Sequence, residues 1–272
     1  MKPKQFSRTK SCYFCGASPP SQREHVPPQI MFEGFKHTAI TVPSCSEHNS
    51  EKSNMDRAVV TGLVRTLDQM PVTGSAPRPF PANVSQAIAR LAPNYAQANN
   101  MVTMQPYLLD GPDELMVDLP FLEPDAQLIP WIKQLTAALV WSAIGYYDPE
   151  TDWDAALAWS RTYVRVIGPI TASEARHRAL DALGRELKLE NECSWSKGWS
   201  GKPDPYPADI FRFDVSFLPQ SEGENHIIFR HTFYDDIKWF VGFTTSPRTV
   251  QGLRKAVGAS RHSIGRQDNL GT

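Results

Sequence analysis

The chain has 272 residues, a formal net charge of −1 and 41% hydrophobic residues, enough apolar material to bury a core. No apolar run reaches the roughly 18 residues of a membrane-spanning helix. The basic, polar start, Met1 to Lys10, lacks the apolar segment of a secretory signal, so a cytoplasmic protein without membrane contact is expected.

The near-zero charge conceals an asymmetry. Met1 to Val60 carries eight Lys/Arg against five Asp/Glu, Gln105 to Ser160 one against ten, and Pro247 to Thr272 five against one. Basic ends suit a polyanion, although a solvated mixed surface explains them equally well. The acidic 105–160 stretch argues against its lying on DNA and fits a protein partner instead.

In chain order, residues 1–11 read as a basic arm and residues 12–53 as turns, short strands and loops. Val59, Val60, Leu63, Val64 and Leu67 recur at helical spacing, which predicts a helix from Asn49 or Asn54 to about Leu67. Pro71, Pro77, Pro79 and Pro81 mark residues 71–82 as a linker. The linker divides a module over 1–70 from an α+β domain over 83–272, which would recognise the target or a partner. A short helix near Val84–Leu91 follows, then an irregular acidic stretch to about Asp125. Leu128, Ile129, Ile132, Leu135, Leu139 and Ile144 predict an amphipathic helix over Ala126–Tyr147, with Pro130 in its first turn. Further helices are expected over Asp152–Val166 and over Thr171–Leu189, the latter opened by a Thr171/Glu174 capping box.

The period then changes to two. Ile210–Leu218, Ile227–Tyr234 and Ile237–Thr244 predict a three-stranded antiparallel meander with one face under helices. Residues 246–272 read as a basic tail. The fold class is therefore α+β: an N-terminal module of short strands and a helix, then a helical domain ending in an antiparallel β-meander.

The chemistry lies between Cys12 and Lys52. Four cysteines, at 12, 15, 45 and 193, in a long chain without a secretory signal point to metal binding rather than disulfides. Cys12-x2-Cys15 and Cys45-x2-His48 supply the four ligands of a closed tetrahedral zinc site. Such a site contributes folding energy to a segment too short to build its own core. Cys193 stands apart as an unrelated thiol. Between the pairs lies Glu24-His25-Val26-Pro27-Pro28. A carboxylate is a hard ligand for a divalent cation, and an imidazole can take a proton from water. Asn49, directly after the last zinc ligand, offers a second hard oxygen. Lys52, about one helical turn on, is expected on the same side as Asn49, facing phosphate.

Taken together, residues 12–56 resemble the HNH endonuclease family in its zinc-stapled form. The resemblance rests on Glu24-His25-Val26-Pro27-Pro28 and on Cys45-x2-His48-Asn49-x2-Lys52. It implies a ββα-metal fold and metal-dependent hydrolysis of DNA phosphodiester bonds. His25 would be the general base, and Glu24 and Asn49 would hold catalytic Mg²⁺ or Mn²⁺. Cys12, Cys15, Cys45 and His48 would hold structural Zn²⁺, with Lys52 and Arg23 on the substrate. The family's middle asparagine is missing; Thr38 lies nearest its place, beside His37, a weaker third-ligand candidate. Two alternatives stay open: a non-catalytic zinc-binding adaptor for nucleic acid or protein, and an RNA-directed nuclease.

Elsewhere, His177 reads as a surface residue and His226 and His231 as half-buried or core residues. The run Trp195–Lys202 reads as a loop on the core, with base stacking as the less favoured reading.

Overall fold

A computed structural model describes residues 11–18, 20, 22–33, 40–69, 80–98, 102–108, 116–122, 127–160, 193–199, 207–218, 226–235 and 237–258. Two short strands, β1 (Gln22–Val26) and β2 (Ile40–Ser44), pair antiparallel and lead into the helix α1 (Ser46–Gln69). This ββα unit is the arrangement expected for the N-terminal module. α1 begins earlier than the apolar pattern indicates because its first turn, Ser46 to Asn49, is polar and carries His48. Its core-facing residues are those of the pattern: Val59, Val60, Leu63, Val64 and Leu67 are fully buried.

Most of the expected linker, with His37 and Thr38, the predicted helix over 171–189 and His177, lies outside the described residues. On either side of 71–82 the buried residues belong to one continuous cluster. The helix α2 (Ala82–Leu91) buries Val84, Ala87 and Leu91. Its Arg90 reaches back to the short turn Gln29–Phe32, donating to the carbonyl of Ile30 at 2.8 Å and to that of Glu33.

Within the stretch expected to be irregular up to Asp125, two strands, β3 (Val102–Leu108) and β4 (Met116–Leu122), instead pair antiparallel. Pro106 and Pro120 masked them in the sequence. In a two-stranded sheet both strands are edges, and an edge tolerates a residue without an N–H donor.

The helix α3 (Leu128–Ile144) is the common wall of the molecule. It is not amphipathic as expected but is buried on nearly every side, from Leu128 and Trp131 through Gln134 and Thr136 to Trp141. A helix covered all round sits between other layers. Here α1, β1 and β2 contact it, as do β5 (Leu157–Ser160) and β9 (Ile237–Thr244).

The helix expected over Asp152–Val166 is overturned for its described part. The Asp152 side chain accepts from the backbone N–H of Asp154 at 2.9 Å and of Ala155 at 3.0 Å, which closes a turn. Trp153 then packs on Phe243 with ring centroids 4.8 Å apart, and β5 pairs with the edge of β9. Tertiary pairing overrides the apolar spacing.

The meander is part of a larger sheet. With β6 (Ser196–Lys197), β7 (Phe211–Phe217) and β8 (His226–Phe233), the strand order is β5-β9-β8-β7-β6, all antiparallel. Both faces are covered. On one, Asp214 of β7 accepts two hydrogen bonds from Arg230 of β8, at 2.8 and 3.0 Å, and the Arg230 guanidinium lies over the Trp195 ring. Trp199 sets its edge against Phe213 and donates to Ser142, so the described part of the tryptophan-rich run is folded onto the core. His231 lies in a stack with Phe211, Phe229 and Phe233 and is fully buried, whereas His226 is half-buried.

Residues 246–258 are not tail. The helix α4 (Pro247–Ala256) is capped by the Ser246 side chain, which accepts from the Thr249 N–H at 3.2 Å, and Pro247 occupies its first turn. Asp148, from the acidic stretch, is spent inside the protein: its carboxylate accepts from Thr245 and Ser246 at the start of this helix. Among the described residues no helix is long and apolar enough to cross a membrane.

Candidate functional site

Cys12 and Cys15 stand on a tight turn closed by the Gly16 N–H donating to the Cys12 carbonyl at 3.0 Å. Gly16 adopts φ 73°, and a β-carbon there would meet the Tyr147 ring at 2.6 Å, so only glycine lets the turn sit against that ring. Cys45 precedes α1 and His48 lies in its first turn, with Nδ1 3.1 Å from the Cys45 sulfur. Phe14 packs on the His48 ring at 5.0 Å and stacks on Trp153.

The ligand atoms of Cys12, Cys15, Cys45 and His48 all lie within 4.8 Å of one another. Sulfur ligands at zinc-bond length on a tetrahedron are separated by about 3.8 Å. The Cys15 and Cys45 sulfurs are 4.0 Å apart. Burial works against the Cys12 thiolate, but N–H groups of Cys15, Cys45 and Phe14 outweigh it and bring that thiol below its ordinary pKa. Burial and the neighbouring Cys12 and Cys45 sulfurs push the Cys15 thiol up to about 11. Three crowded thiols and an imidazole are a donor set that a divalent cation such as zinc satisfies, so the group can hold such a metal. Cys193 is not part of it.

Beside this cluster is a cleft of about 340 Å³. β1 brings Arg23, Glu24 and His25 to it, and α1 adds Asn49, Ser53, Asp56 and Arg57 at successive turns. Glu24 and His25 are neighbours in an extended strand, opposite Val42 and Thr41 of β2, yet both line the cleft. Glu24 turns inward and is 6% exposed, whereas His25 is half-buried. The Asn49 amide donates to the Gln22 side-chain oxygen.

The structure places Lys52 differently from the sequence expectation. It does not share the open face of Asn49; it is fully buried beneath the cleft. Its ammonium lies 3.1 Å from Glu24 Oε1 and 3.0 Å from Asp56 Oδ1. Three residues along a helix is less than a full turn, and here that offset carries the side chain into the core. Its charge is therefore taken up by two carboxylates.

Two further donors complete the network. The Tyr13 hydroxyl donates to Glu24 Oε1 at 3.1 Å, and the Trp131 indole N–H of α3 donates to Asp56 Oδ1 at 2.8 Å. Glu24 Oε2 is buried with no hydrogen-bond partner. Burial raises the Glu24 carboxyl above its ordinary pKa, and Lys52 and Tyr13 only partly offset that. An unpartnered buried carboxylate oxygen beside a cleft suits a cation as its missing neighbour. Asp56, Tyr13 and Trp131 were not singled out from the sequence. Asp56 was findable as the residue four after Lys52; Trp131 was not.

Compared with known protein families, curated proteins and solved structures, the chain matches none of them.

Proposed function

We propose that the protein is a metal-dependent endonuclease of the HNH kind, hydrolysing DNA phosphodiester bonds. The observation that carries this reading is the cleft itself: Glu24, His25 and Asn49 meet there, from β1 and α1, beside the Cys12–Cys15–Cys45–His48 group. In this reading zinc at the Cys/His group fixes the turn and the start of α1. Glu24, through Oε2, and Asn49 hold Mg²⁺ or Mn²⁺, which when bound offsets phosphate and leaving-oxygen charge. His25 takes the proton from the attacking water. Arg23, on the wall of the same cleft, steadies the phosphate. Lys52 acts from below by holding Glu24.

The test is cleavage of supercoiled plasmid with Mg²⁺ or Mn²⁺, beside EDTA and His25→Ala. Metal-dependent nicking should fall by about 10²- to 10⁴-fold in His25→Ala, the usual worth of a general base, with zinc content unchanged. Equal cutting by the variant would remove His25 from the mechanism. No cutting by zinc-loaded parent protein under either metal would favour the adaptor reading, and competition between DNA and RNA separates the RNA-directed case.

A further inference from the structure

Each of the two cleft carboxylates that meet Lys52 has one oxygen saturated by two donors. Glu24 Oε1 takes Tyr13 and Lys52; Asp56 Oδ1 takes Lys52 and Trp131. Lys52 is fully buried, and its ammonium also faces the Trp131 ring, 5.9 Å from the centroid. The chain of contacts therefore runs from α3, across Asp56 and Lys52, to Glu24, a residue of the cleft lining whose Oε2 is buried without a hydrogen-bond partner. Trp131 itself is anchored on the other side by Phe233 of the five-stranded sheet, at 5.9 Å between ring centroids.

We infer that Trp131 is a positioning residue for the candidate metal site: through Asp56 and Lys52 it fixes the Glu24 carboxylate so that Oε2 faces the cleft and can ligate a divalent cation. The inference rests on the reading above that Glu24 holds that cation. Its physical basis is that a ligand oxygen is useful only when its own orientation is held, and outer partners do the holding. Lys52 alone leaves Glu24 free to follow whichever way the ammonium swings. Asp56 restrains the ammonium, and the indole N–H restrains Asp56. The site of residues 12–56 is then completed by a residue from beyond the proline-rich segment, and cation affinity depends on how α3 is seated.

The test is Mn²⁺ binding to the full-length, zinc-loaded protein, with free Mn²⁺ read by electron paramagnetic resonance. Trp131→Phe keeps an aromatic ring toward Phe233 and removes the N–H together with part of the buried indole; Asp56→Asn deletes the charge that restrains Lys52 without changing the volume. Each should weaken Mn²⁺ binding about tenfold, the lower end for outer partners of metal ligands. The double variant should be no weaker than the worse single, because both act through one route. Zinc content should stay constant, which a general loss of structure would not leave unchanged. Should Trp131→Phe fail to fold, Asp56→Asn and Lys52→Met carry the same comparison. If Glu24→Gln weakens Mn²⁺ binding while Trp131→Phe does not, the inference is overturned. Weakening by Asp56→Asn alone would make Asp56 a ligand in its own right and also overturn it. Parent protein that ignores Mn²⁺, or Glu24→Gln that binds as the parent does, would remove the cation site and the inference with it. Weaker binding in Trp131→Phe, with a parent that cuts no nucleic acid, would uphold the inference and defeat only the nuclease reading.

Discussion

The two ends of the described structure are held together by different physics. In residues 11–56 a few apolar residues, among them Val26, Met31, Phe32 and Val42, are joined by polar and ionisable groups: three thiols, an imidazole, and a lysine between two acids. In the five-stranded sheet the order comes from stacked rings, among them Phe211, Phe213, Phe229, Phe233 and Phe243. The same residue type shows the contrast. His25 is half-buried on the wall of a cleft. His231 is fully buried, and its Nε2 meets Thr136 Oγ1 at 2.8 Å. Thr136 gives its own proton to the Ile132 carbonyl, so the imidazole must donate through Nε2, leaving Nδ1 buried and unpartnered. A region stabilised by charge can exchange its partners for a substrate or cation. A region stabilised by packing cannot, and serves as the frame.

Removing zinc should break the comparison open most widely, since structural zinc supplies on the order of 10 kcal/mol to small sites. Amide exchange in β7, β8 and β9 reports the frame and exchange over 12–53 the site; tryptophan fluorescence would mix the two, because Trp131 touches Asp56 and Trp153 stacks on Phe14. Chelation should raise exchange in the site with exchange in the three strands little changed. A simultaneous rise in both would show one cooperative unit and dissolve the distinction.

Lys52→Met should come next. It leaves Glu24 and Asp56 facing each other without their cation, and loss of one partner from a buried pair costs about 3–5 kcal/mol. Denaturant titration at neutral pH measures it, and a cost well under 1 kcal/mol would mean the network does not hold the site.

The smallest effect concerns the frame. Burial lowers His231 from its ordinary 6.5 to about 3. Between these values the unfolded chain binds a proton that the folded chain excludes. The stability contributed by the neutral ring is therefore complete above pH 6.5 and declines as pH falls toward 3. At pH 5 the loss is about 2 kcal/mol. Thermal melts of the parent at pH 7.5 and 5, beside His231→Gln, should show a steeper decline in the parent. Parallel declines would mean that the ring is not held neutral.

What could be read from sequence was local. Cys-x2-Cys and Cys-x2-His place their ligands within single turns, and the helical spacing from Val59 to Leu67 states which side of α1 is buried, whatever it packs against. The alternation in Phe211–Phe217 and in β8 and β9 is equally self-contained, and each strand lies where the pattern puts it. Ser246-Pro247 was a local signal too, obscured by the basic residues around it. The rest depended on neighbours distant in sequence. Leu157–Ser160 is a strand because β9 offers an open edge, and Val102–Leu108 and Met116–Leu122 are strands because each supplies the other's hydrogen bonds. Lys52 turns inward because acids from β1 and from its own helix wait there, and Trp131 reaches Asp56 only once α3 lies against α1. Residue spacing encodes contacts within a turn or along a strand. The direction of a long charged side chain is decided by which burial finds it partners, and those partners exist only after the layers have packed.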